Sequence, residues 1–389
     1  MRVLAVPALL VALAASSSAV ATGEVTVKLA ANPTDLAAQT AWTARVRITS
    51  GGRPLRHAKA VLVANGLGRV KRFTLRETRS RGVYSARTVL PAAGRWTLSV
   101  RLGKRALRLG AVAVGPRRPD VRGPFGLAVG PDGHIAIADR DADRVVIVNP
   151  RTGASRVAAT GLDDPIAVAY DSGGSLYANS GERVVRIGLG GTTVVAGTGT
   201  RGHSGDGGPA TAANLGGLGS FAFGPGNELF VPEYDNWIRC VRAGGIIETI
   251  AGTGTEGFAG DGGPAKAAAI AAPHALAVRS DGSVVFADSH NGRVRQIDPS
   301  GTITTLASSF VAPVSIAAAP DGSVVVGDAQ TGLLQRVEPN GTVSLIASRV
   351  RVPSGIAIDL HGDIYFSEFD AGRVRVYDLE TNRITTVAR

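Results

Sequence analysis

The sequence predicts an all-β chain: a six-bladed β-propeller preceded by a small β-sandwich. Three observations carry this. Six segments in the last two thirds of the chain share one pattern, opening at Pro124, Pro165, Leu218, Pro273, Pro313 and Pro353, with steps of 41, 53, 55, 40 and 40 residues. Seven alternating runs precede them within roughly 90 residues. The composition, 51 glycines with 5% aromatics, suits a turn-rich β protein whose core is built from Val, Ile, Leu and Ala.

Residues 1–21 read as a secretory signal peptide: a basic start at Arg2, an apolar run over residues 4–15, and Ala19-Val20-Ala21 as the cleavage site. That run is shorter than the roughly 20 residues a membrane span needs. The mature chain is therefore expected to be secreted or held in the cell envelope, without a transmembrane segment.

Residues 23–115 supply the sandwich, with strands expected at VTVKLAA, WTARVRIT, AKAVLVA, VKRFTLRE, GVYSARTVL, RWTLSVRL and LRLGAVAV. GVYSARTVLPAAGRWTLSVRL resembles the last hairpin of bacterial immunoglobulin-like domains, which implies that Tyr84 and Trp96 pack in the core. Residues 23–116 hold 18 Lys+Arg against 3 Asp+Glu, whereas residues 117–389 hold 23 against 28. The net charge of +11 thus belongs to the front domain. Arg45, Arg47, Arg69, Arg72, Arg76, Arg79 and Arg81 make one face positive, so an anionic envelope surface is its expected partner. Nucleic acid is not expected, because the propeller is acidic. Residues 116–122 form a short linker rich in proline and arginine.

The propeller spans residues 123–389. Residues 271–309 show its unit most clearly: HALAV, VVFAD, RVRQI and TITTLA, separated by the turn signals SDG, HNG and PSG. Four antiparallel strands with apolar residues on both faces need neighbours of the same kind, and a period near 40 is that of propeller blades. The P-x-G-[IL]-A-V openings, followed by D-G-x-[IVL]-[YVI]-[VIF]-A-D and N-x-R-[IV], resemble the NHL repeat, and this resemblance implies six blades. Cys240 is the one cysteine and is expected as a small buried apolar residue without a disulfide.

One face of such a ring gathers the strand-one openings, the loops after strand two and the links between blades. Its expected ligand-contacting residues are Phe125, Ile166, His274, Ser354, Glu233, Tyr234, Trp237, His290, His203, Asp206 and Asp261, with an apolar patch around Phe221, Tyr234 and Trp237. Acids or Asn recur at strand-two ends, and Arg at strand-three starts. Asp139, Arg144, Arg183, Asp288, Arg293, Asp328, Glu368 and Arg373 are therefore expected to be structural, as charge-assisted hydrogen bonds tying loop to blade. Blades two and three are lengthened by a duplicated segment, AGTGTRGHSGDGGPATAANL and AGTGTEGFAGDGGPAKAAAI. Its Asp206 and Asp261 are expected in turn chemistry, with a calcium site on backbone carbonyls as the alternative.

Several six-bladed relatives are enzymes. Amidating lyases resembling this fold bind zinc through a P-H-x-[LI]-A motif in three blades, yet here only Pro273-His274-Ala275-Leu276-Ala277 matches. The metal-ligating Glu/Asn/Asp set of gluconolactonase-like propellers is not visible either. The main expectation is thus a non-catalytic binding protein without cofactor, its propeller face holding a protein, peptide or glycan. The alternative is a metal-assisted lyase or lactonase/hydrolase using His274 with Glu233 or Asp288.

Overall fold

The computed structural model describes residues 25–29, 41–90, 94–114 and 119–389; the expected signal peptide and linker residues 116–118 lie outside them. The chain divides into two compact units, residues 1–117 and 118–389. Among the described residues no helix is long and apolar enough to cross a membrane.

The first unit contains β1 (Val25–Leu29), β2 (Ala41–Ser50), β3 (Arg53–Pro54), β4 (Ala60–Gly66), β5 (Arg69–Glu77), β6 (Val83–Val89), β7 (Gly94–Leu102) and β8 (Arg105–Val114). Period-two alternation sends Ala44, Val46 and Ile48 inward, where they meet Leu62, Trp96, Leu98 and Val100 from facing strands. The buried Tyr84 hydroxyl donates to Leu55 O (3.0 Å) and accepts from Ala58 N–H (2.9 Å), fixing the loop ahead of β4.

The two separate sheets expected of a sandwich are not what the pairing gives. The strands follow one path, β1-β2-β6-β5-β4-β7-β8, with β3 on β2. β5 turns the corner: it pairs β4 from Arg69 to Leu75, then β6 through Arg76 and Glu77 alone. The single sheet curls into a nearly closed barrel with β1 close to β8.

The second unit is a six-bladed β-propeller. Each blade is four antiparallel strands contiguous in sequence; blade four, for example, runs Pro273–Val278, Val284–Asp288, Arg293–Ile297 and Ile303–Ala307. Strand one of every blade lines an axial cavity of about 260 Å³. The third residue of the opening is small in all six blades: Gly126, Ala167, Ser220, Ala275, Ser315 and Gly355. The reason is steric. A Cβ on Gly126 would lie 2.5 Å from Ile166 O, and one on Gly355 2.1 Å from Phe125 O, so each opening abuts the next blade's backbone. Hydroxyls bridge the same seams, with Ser315 Oγ donating to Pro353 O (2.5 Å).

The ring closes without a shared strand. Leu127, Ile137 and Val148 of blade one pack with Ala357, Tyr365, Val374 and Val387 of blade six in one apolar cluster. Ser367 Oγ donates to Phe125 O at 2.7 Å and Arg389 N–H to Pro119 O at 3.0 Å across this seam. The seam therefore depends on side-chain packing and on the absence of a side chain at position 355. Gly355→Val is expected to lower the unfolding free energy by about 3 kcal/mol, since the obstacle is backbone and cannot move aside. Urea unfolding followed by tryptophan fluorescence measures it.

Candidate functional site at the channel mouth

In four blades the second residue of the opening, Phe125, Ile166, His274 or Val314, is half-buried at the mouth of the channel, whereas Gly219 and Ser354 are buried. His274 takes this place in blade four, and Tyr234, from the turn after blade three's second strand, lies across it with ring centroids 4.5 Å apart and planes tilted by 39°. Burial, with a smaller contribution from the charge of His290, pushes the His274 imidazole down to about 4. Burial also pushes the Tyr234 phenol up to about 12, with Asp164 adding to the rise and Arg140 opposing it. At neutral pH the pair is a neutral base beside a protonated phenol.

Polar and aromatic groups meet in the rest of the mouth. Arg140, in the short 3-10 turn after blade one's second strand, donates from Nε to Asp164 Oδ1 at 2.5 Å, and that bond raises its pKa. Its guanidinium lies 5.5 Å from the Phe369 ring centre, and Phe369 meets Phe125 edge-on at 5.7 Å. His290 Nδ1, in the 3-10 turn after blade four's second strand, is 2.9 Å from Glu256 Oε1 on the lengthened loop, an exposed pair.

The strand-two acids form a second, buried tier that holds the links between blades. Asp139 Oδ1 accepts from Arg122 and Gly123 N–H at 2.7 and 3.0 Å, and its Oδ2 from Arg144 Nε at 2.7 Å. Asp288 accepts from Ala271 N–H, Asp328 from Val311 and Ala312 N–H, and Glu368 from Arg351 N–H and Arg373 Nε. Asn179 does the same for Ile166 and Ala167 N–H. Each caps the chain entering its own blade, where the backbone donors would otherwise be buried without partners.

Of two further expected ties, one joins its loop and the other meets a ring instead. Arg183 donates to Thr198 O, and the Arg293 guanidinium sits 3.9 Å from the Phe258 ring centre. Two arginines that their position in strand three did not single out, Arg239 of blade three and Arg295 of blade four, are fully buried. Arg239 NH2 donates to Asp206 Oδ1 at 2.5 Å, and Arg295 to Asp261 Oδ1 from Nε (3.1 Å) and NH2 (2.7 Å). The other oxygens, Asp206 Oδ2 and Asp261 Oδ2, accept from Thr249 and Thr305. The recurrence of Arg at the third place of strand three in these two blades, matching the duplicated Asp, was the available signal.

The expected apolar patch also takes a different form. Phe221 is buried in the core between blades, and Trp237 is covered by His203, stacked at 3.9 Å with planes 9° apart. His203 lies 3.7 Å from buried Glu233, whose Oε2 accepts from Gly216 N–H. Ser354 is buried against Ser367, 3.0 Å away, so of the expected openings Phe125 and His274 carry the documented mouth contacts.

Among the described residues no three His, Cys, Asp or Glu side chains converge to hold a metal ion. The carboxylates of the lower tier are occupied by backbone N–H groups and arginines, and those of the duplicated loops by arginine and threonine, so these residues do not fit a bound cation.

No family model matches the sequence, and no curated protein matches it. Solved structures do. A gluconolactonase from Xanthomonas campestris matches with a TM-score of 0.52 at 12% identity over 65% of this chain and 85% of that one. Regucalcin, a calcium-binding protein from Agrobacterium tumefaciens, gives 0.51 at 14% over 70% and 92%. Virginiamycin B lyase from Staphylococcus aureus gives 0.47 at 18% over 69% and 84%, too loose a match to bear on function. The first two likenesses support the propeller fold. They also correct the expectation of a non-catalytic binding protein, since the solved propellers that share this fold include a gluconolactonase.

Two outcomes follow. Asp261→Asn should cost about 2–4 kcal/mol in urea unfolding by leaving Arg295 underpaired in the interior, and Arg295→Met in the same chain should recover part of the loss. His274 holds its proton only below about 4 when folded, against 6.5 ordinarily, so between those values the unfolded chain binds more protons and acid destabilises the fold. His274→Gln should therefore flatten the decline in melting temperature between pH 6.5 and 4.

Proposed function

We propose that this chain is a hydrolase of the six-bladed propeller type acting on a small cyclic ester, a lactonase, with its chemistry at the channel mouth. The observation that carries the reading is the His274–Tyr234 pair: a neutral imidazole and a protonated phenol in ring contact. The gluconolactonase among the solved propellers supports the same class. The motifs quoted above favour NHL-type blades, and the composition of residues 1–21 favours export.

The step is a general acid–base hydrolysis. His274 takes a proton from water as the water oxygen bonds to the ester carbonyl carbon, and the Tyr234 hydroxyl gives its proton to the ring oxygen as the C–O bond breaks. A hydroxy acid leaves. The imidazolium, acidic near pH 4, then returns its proton to the phenolate, basic near 12, and the pair is reset. Arg140, held by Asp164, faces the developing negative charge, and the Phe125–Phe369 pair offers the apolar wall.

Titration of acid release from a panel of lactones tests this. Tyr234→Phe should lower kcat by roughly 10²–10⁴-fold and His274→Gln by at least as much. The rate of the unaltered protein should hold through neutral pH and fall below about 4. No turnover across the panel, or full turnover by the His274→Gln protein, would overturn the assignment.

A further inference from the structure

The β4–β5 hairpin of the first unit leaves its own core. Along β5, Arg69, Val70, Lys71 and Arg72 are all exposed, so neither face of the strand is covered there; burial resumes with Phe73 and Leu75. The tip turns through Leu67 (φ 54°) and Gly68 (φ 70°). A two-residue turn with positive φ at both places ordinarily takes Asn-Gly or Asp-Gly. Leucine in that conformation costs about 1–2 kcal/mol and gains nothing from the interior, since Leu67 is 59% exposed and Val70 46%.

The charge around this apolar tip has one sign. Arg69, Lys71 and Arg72 flank it, and exposed Arg95 lies on the adjoining strand β7. The cations continue across the outer sheet: Lys28 stands directly opposite Arg47, while Arg45 and Arg76 both pair with Ser85. Like charges placed opposite each other destabilise a sheet. Glu77 is the sole carboxylate among the described residues of this unit, and it is occupied by His57 and Gly82 N–H.

We propose that this hairpin docks on an anionic lipid membrane, Leu67 and Val70 entering the interface while Arg69, Lys71, Arg72 and Arg95 meet headgroup phosphates. A soluble polyanion would satisfy the cations but leave Leu67 unexplained; a bilayer accounts for both, since an apolar tip ringed by cations combines burial with attraction to a negative surface.

Co-sedimentation of the full chain with vesicles tests this. Binding is expected to phosphatidylcholine vesicles that contain phosphatidylglycerol, weakening as salt rises, and not to phosphatidylcholine alone. The triple variant Arg69→Gln, Lys71→Gln, Arg72→Gln should weaken binding roughly a hundredfold. Leu67→Asn should weaken it about tenfold with the melting temperature unchanged or raised, since Asn suits the turn; that separates a lost contact from a lost fold. Equal binding to neutral vesicles, no binding to either kind, unchanged binding by Leu67→Asn, or retention on heparin without vesicle binding would each overturn the proposal.

Discussion

The propeller depends on how closely its six strand-one backbones approach around the axis. At Gly126 and Gly355, and one place earlier in blade three at Gly219, the next blade's carbonyl oxygen stands where a Cβ would be, and the third residue of the other openings is no larger than Ala or Ser. The constraint is local, but it determines where chemistry can occur. The residue before the small one is half-buried at the mouth in four blades, His274 and Phe125 among them.

Beneath the mouth, the carboxylates at the strand-two ends answer a different need. The chain entering each blade presents backbone N–H groups in a place without water, and a buried acid or amide accepts them. This tier leaves those acids little capacity for a substrate or a cation. The mouth, with its neutral histidine and protonated tyrosine, is where titratable groups face outward from a rigid base.

Much of the propeller was legible because its period is carried by residues that the blade cannot do without: the small third residue, the Asp-Gly turns and the acid at the end of strand two. The buried arginines were not legible in the same way. Arg239 and Arg295 find Asp206 and Asp261 across 33 and 34 residues, through the path of a loop, while local spacing drew attention to the strand-three openings, Trp237 and Arg293. The first unit shows another limit. Alternation located its strands and placed Tyr84 and Trp96 inside, but whether such strands make two sheets or one curled sheet turns on the corner at Arg76 and Glu77, which alternation does not encode. Of the mouth, His274, Tyr234 and Phe125 were found as strand and loop positions; Arg140 and Asp164 were missed because their partnership joins two blades.

The duplicated loops are present after blades two and three and missing after the others. Pinned by arginines from within, each exchanges backbone hydrogen bonds with the outermost strand of the next blade, Gly207 and Gly208 with Ile247, and Gly262 and Gly263 with Ile303. Two of the six outer edges are thereby clasped, and their ladders are closed to pairing with another chain.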